Sequence, residues 1–205
     1  MEAHLRAGAA IYNAGDHHAA HDAWEERWLD LERGTPDERF LHGLIQFTAA
    51  VHHGTEHNWT GATGLAESAR KYLDGLGERH RGVALAPVRE YLATLAADPE
   101  VIERRAPVAL THEGEAPSLS TLEFEAGAVA AGVYAEAGDY DEAVIDRAIE
   151  YAQADLAAGE GTSDVVTFVL DFARNPEDRG IVFQRLAERV ERRAQRDADV
   201  EGLFD

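Results

Sequence analysis

The sequence predicts an all-α protein, an irregular multi-helix bundle of about eight or nine helices built from helical hairpins. Three observations carry this. Glycine and proline breaks with helix-capping residues divide the chain at helix-sized intervals. The stretch Phe40–Val51 places Phe40, Leu41, Leu44, Phe47, Thr48 and Val51 on one face at helical spacing. Gly15-Asp16 and Gly138-Asp139 each sit between two helical patterns, with Ala20 and Ala143 where the paired helices would cross.

In chain order, residues 3–13 read as a short helix stopped at Ala14-Gly15, because glycine past the last turn ends a helix without steric cost. Asp16 would cap a second helix running to about residue 33. Gly34-Thr35-Pro36 breaks it, with Thr35 as N-cap and Pro36 at the first position of a long third helix, 36–55. Asn58 caps a fourth helix to about residue 76. Residues 77–82 are a polar turn, and a fifth helix spans 85–97. Pro99, Pro107 and Pro117 mark 98–120 as a connector, with an extended piece over 107–111.

Ser120-Thr-Leu-Glu123 has the spacing of a capping box and opens a helix to about residue 137. Helices at 140–158, 164–173 and 176–196 follow, the last entered through Asn175-Pro176, and the chain frays after 197. Residues 1–97 are thus expected as a helical domain, and 121–205 as a helical extension packed on it. Val165, Val166, Phe168, Val169 and Phe172 read as a buried helix. An unpaired part of it could serve as a homodimer face.

Composition excludes several functions. The 205 residues carry 39 acidic and 19 basic side chains, a net charge of −20, and Lys71 is the sole lysine. Acid excess with almost no lysine is what a high-salt cytosol selects, where a Debye length of about 3 Å screens self-repulsion. A nucleic-acid partner would need a basic face; the one dense basic run, Arg189 to Arg196, is interleaved with acids and suits the last turns of a helix. With no cysteine, disulfides and thiolate chemistry are excluded. No apolar run approaches the roughly 20 residues a membrane helix needs. The N-terminus lacks a signal-peptide pattern, so the expected location is cytoplasmic.

The chemistry concentrates between His17 and Asn58. At 100° per residue, His17, Ala20, His21, Trp24, Trp28 and Leu31 share a face of the second helix. Glu25 stands at its edge, while Asp22, Glu26 and Asp30 point to water. On the third helix the face opposite the apolar stripe holds His42, Gln46, Ala49, Ala50 and His53, with no acid from Phe40 to His53. A solvent face in so acidic a chain should carry Asp and Glu, so this helix is expected to be buried on both sides. Gln46 and His53 must then find partners, and His21 and Glu25 are the nearest. His17, His18, His52 and His57 read as surface or half-exposed.

His21-x-x-Trp24-Glu25-x-x-Trp28, Gly43-Leu-Ile-Gln46, Ala49-Ala50, His53 and Asn58-x-x-Gly61-Ala62 resemble the all-helical family known as domain of unknown function 309, over about residues 11–76. His57 departs from the family, which tends to have glycine there. The resemblance implies a helical fold and a shared polar cluster, and no activity.

Two functions follow as expectations. In the first, the protein is an intracellular helical binding or scaffold module for a protein partner or small molecule. His21, Trp24, Glu25, Trp28, Gln46, His53 and Asn58 are its candidate residues, and the polar cluster is either a groove floor or a buried network fixing helix register. In the second, a divalent metal on His21, Glu25 and His53 serves a hydrolase, two imidazoles and a carboxylate being a plausible ligand set with an open position. No other cofactor is expected. Trp24 and Trp28 have core packing as their simpler role, and Asn58 has an N-cap.

Overall fold

The computed structural model describes residues 1–201. Among them are ten α-helices: α1 (Glu2–Asn13), α2 (Asp22–Leu29), α3 (Pro36–Thr55), α4 (Trp59–Leu73), α5 (Leu85–Ala97), α6 (Val101–Arg104), α7 (Phe124–Ala137), α8 (Glu142–Ala157), α9 (Asp164–Arg174) and α10 (Arg179–Glu201). One small antiparallel hairpin, β1 (Arg79–His80) and β2 (Val83–Ala84), is the sole sheet of the described residues. The protein is therefore all-α. It forms two compact units, Met1–Leu122 and Glu123 onward.

In the first unit α3 is central and packs chiefly along α4, which packs along α5. Its stripe of Phe40, Leu41, Leu44, Phe47, Thr48 and Val51 is fully buried. Thr35 caps it, its hydroxyl accepting from the Glu38 N–H at 3.3 Å, with Pro36 in the first turn. Asn58 caps α4, accepting from the Gly61 N–H at 3.0 Å. Gly43 lets the helices close: a Cβ there would stand 2.6 Å from Leu73 Cγ.

The second helix is shorter than its periodicity predicts. Gly15 has φ +97°, residues 17–21 form turns, and α2 starts at Asp22 with His21 at its N-cap. Asp16 therefore does not cap it. Residues 30–35 likewise leave the helix before Pro36.

The expected polar turn at 77–82 contains the hairpin, whose Arg81-Gly82 corner takes positive φ at both positions (48° and 80°), as a tight hairpin with right-handed twist demands. Through it, His80 Nε2 lies 2.8 Å from Asp37 Oδ1, and Arg81 Nε donates to the same oxygen at 3.0 Å. The Arg81 guanidinium, aided by His80 and opposed by burial, pulls the Asp37 carboxyl down to about 2. A carboxyl depressed on folding contributes fully above its unfolded pKa, about 4, and loses that contribution as pH falls toward 2. Arg81 is about half exposed, so screening leaves roughly 1 kcal/mol. Asp37→Asn is expected to cost that much at neutral pH. In urea unfolding, the gap between the two proteins should close as pH is lowered from about 5 toward 2.

The segment 98–120, expected as a connector, is counted with the first unit. The Asn13 amide donates to Leu110 O (2.9 Å) and Pro117 O (3.0 Å) and accepts from Leu110 N (2.9 Å). Tyr12 Oη donates to Val108 O at 2.9 Å. Burial, with Tyr91 nearby, raises the Tyr12 pKa well above the usual phenol range. Residues 107–111, expected to hold an extended piece, carry no regular secondary structure, and the Ala84 N–H donates to Thr111 O at 3.3 Å.

In the second unit α9 is central, packed by α7, α8 and α10. Val165, Val166, Val169 and Phe172 are buried and Phe168 is half-buried. The capping box sits two residues earlier than expected: Ser118 and Thr121 bond reciprocally around a single 3-10 turn, Leu119–Thr121, and α7 starts at Phe124. Nor does the last helix start at Pro176. Residues 176–178 form a turn, Arg179 opens α10, and its Nε donates to Phe172 O at 3.0 Å. The helix runs past 197 to Glu201; the expected fraying beyond that point lies outside the described residues.

Candidate functional site

The residues singled out from sequence divide into three places. Trp24 belongs to the core: it is wholly buried, and its Nε1–H donates to His4 O at 2.9 Å. Trp28 belongs to a polar network around Glu38, which is 8% exposed. There Trp28 Nε1–H donates to Glu38 Oε1 at 2.9 Å and the Gly34 N–H donates to Oε2 at 3.1 Å. His42 Nδ1 stands 3.5 Å from Oε1, and its ring lies between Trp28 (4.6 Å) and Tyr72 (3.8 Å, stacked). Burial pushes the Glu38 carboxyl up, but the hydrogen bonds from Trp28 and Gly34 and the neighbouring His42 outweigh it, and the net shift is downward. Among the described residues of the first unit, the buried acid is thus Glu38 rather than Glu25.

The third place is a patch of histidines where the turn 17–21 meets the end of α3. The His18 ring lies 5.1 Å from His21 and 5.0 Å from His52, and His52 lies 5.9 Å from His53. His17 leans on Tyr12 at 5.0 Å. His21 Nε2 meets Asp22 Oδ1 at 3.0 Å, and that hydrogen bond, against the opposing effect of burial, raises the His21 pKa. Burial lowers the pKa of His17, helped by His52, and of His52, helped by His18. Gly15, Asp16, His17, His18, Ala19, His52, Thr55 and Glu56 line a pocket of about 280 Å³.

His21, Asp22 and Glu25 each offer a ligand atom, all within 4.8 Å of one another. Asp22 was expected to face water. It is only half-buried and turns its carboxylate to His21, because α2 starts at this residue. Glu25 is exposed. His53 stands outside the group, its Nδ1 held 2.8 Å from Asn58 Nδ2. Gln46 is half-buried and joins neither cluster. Sequence reasoning missed Glu38, Asp22 and the pairing of His18 with His52. The spacing His52-x-x-x-Glu56, the same as His21-x-x-x-Glu25, was the available signal for the last.

Fold and site together define an all-helical protein with a histidine and carboxylate patch on its first unit. Residues 5–65 match the family described as Domain of unknown function (DUF309). The resemblance to that family is therefore shown over that stretch, and residues 66–205 lie outside the match. No curated protein matches the chain. Among the described residues no helix is long and apolar enough to cross a membrane.

Proposed function

We propose that the first unit is a helical binding module whose ligand is a divalent metal ion held by His21, Asp22 and Glu25. The observation that supports it is the convergence of one imidazole and two carboxylates within 4.8 Å, at the edge of a histidine-walled pocket. Such a mixed nitrogen and oxygen set suits zinc, iron or manganese. Two of the ligands are adjacent in sequence and the third is one turn on, so α2 and its N-cap residue present all three. An ion must displace the proton that Asp22 favours on His21, so affinity falls as pH is lowered.

The test is elemental analysis and metal titration of full-length protein purified without an affinity tag. Asp22→Asn is expected to weaken binding at least roughly tenfold while the helical circular dichroism stays unchanged. Protein that carries no metal as purified, and binds none that Asp22→Asn weakens, overturns the assignment. A hydrolase built on His21, Glu25 and His53 would lack its third ligand here, because the atoms that converge within 4.8 Å belong to His21, Asp22 and Glu25 and not to His53. Its residues would instead be His21, Asp22 and Glu25, with the pocket beside them to admit a substrate.

A further inference from the structure

His52 and Glu56 stand four residues apart where α3 ends, as His21 and Glu25 do where α2 begins. Partners at i and i+4 share a helix face. His18 links the two pairs, its ring 5.0 Å from His52 and 5.1 Å from His21. Two imidazoles on one tetrahedral zinc ion, each nitrogen about 2.0–2.1 Å from the metal, place their ring centres roughly 5 Å apart. His18, His52 and Glu56 line the same pocket of about 280 Å³. Among the described residues neither the His18 nor the His52 ring hydrogen-bonds to the protein, whereas His53 and His80 are engaged by Asn58 and Asp37. Glu56 makes no ion pair among the same residues and stands one helical turn after His52.

We propose that His18, His52 and Glu56 hold a second divalent cation, of the zinc class, in this pocket, with ligands separate from those of the ion assigned to His21, Asp22 and Glu25. The ligand atoms of these three do not converge within 4.8 Å as the side chains stand, unlike those of His21, Asp22 and Glu25; His18 and Glu56 are exposed, so turning them toward an ion meets little resistance. Imidazole-rich ligation favours zinc, nickel or copper over magnesium or calcium, which take oxygen shells.

The experiment is a zinc titration of tag-free, chelator-stripped full-length protein against a chromophoric zinc chelator. It is run in about 1 M KCl, where the screening length of about 3 Å suppresses loose binding to the acidic surface. Wild-type protein is expected to take two equivalents. His52→Gln and Glu56→Gln should each weaken one of them at least tenfold, and Asp22→Asn should remove only the other. One equivalent in the wild type, kept in Asp22→Asn and lost in His52→Gln, would sink the first assignment and sustain this one. Zinc stoichiometry and affinity unchanged in both His52→Gln and Glu56→Gln overturn it, as does a wild type that binds no zinc. Glu56 is exposed, so its variant reports even if His52→Gln does not fold.

Discussion

Gly8→Ala is expected to destabilise the protein by about 3 kcal/mol, although alanine is the better helix former by about 1 kcal/mol. Gly8 is buried in α1, and a methyl group there would overlap the Trp24 indole. The indole has nowhere to go. It is wholly buried, and its Nε1–H is committed to His4 O at 2.9 Å. Either the ring leaves its place and breaks that bond or α1 moves off α2, and both outweigh the propensity gain. Urea unfolding measures the cost. A native tryptophan emission shifted to the red in Gly8→Ala would show the ring displaced. A variant as stable as the wild type would show that the close approach of α1 to Trp24 is not as described.

Glu38→Ala is expected to cost about 2–3 kcal/mol, far more than removal of an ordinary helix carboxylate. Two donors, the Trp28 indole N–H and the Gly34 backbone N–H, lose their acceptor together, and the first turn of α3 loses a charge that suits its dipole. Glu38→Gln keeps the shape but offers one acceptor oxygen where two are used, so an intermediate loss of about 1–2 kcal/mol is expected. The folded carboxyl is depressed, so its contribution is complete above the unfolded value near 4 and declines as acid protonates it. Equal stability of Glu38→Ala and wild type at pH 7 would contradict the network.

The helices and the α3 stripe were legible because caps and periodicity are local signals: Thr35-Pro36, Asn58 and the spacing Phe40 to Val51 act within a few residues. The site was legible only in its neighbourhood. The absence of acids between Phe40 and His53 predicts a helix buried on both sides, whereas His42, Gln46, Ala49 and His53 on that second face are only half-buried. Which partners those groups find depends on two facts that no periodicity carries. Residues 17–21 are turns, so Asp22 rather than helical geometry sets the environment of His21. And α3 lies mainly against α4, so Tyr72 rather than an α2 carboxylate covers His42. Glu38 was hidden for a related reason. It stands at the third helical position after Thr35, as a capping-box acid would, but spends its carboxylate on Gly34 and Trp28.

The single amide of Asn13, whose nitrogen donates to Leu110 and Pro117 and whose oxygen accepts from Leu110, bears on how the protein can be cut. It does for residues 110–117 what a neighbouring strand would do, so the first helix of the chain and a stretch almost a hundred positions later are mutually dependent. Fragments ending at residue 65, where the family match stops, or at 97 would strand that amide and the Tyr12 hydroxyl without their acceptors. The shortest piece that keeps this clasp closed ends near residue 122.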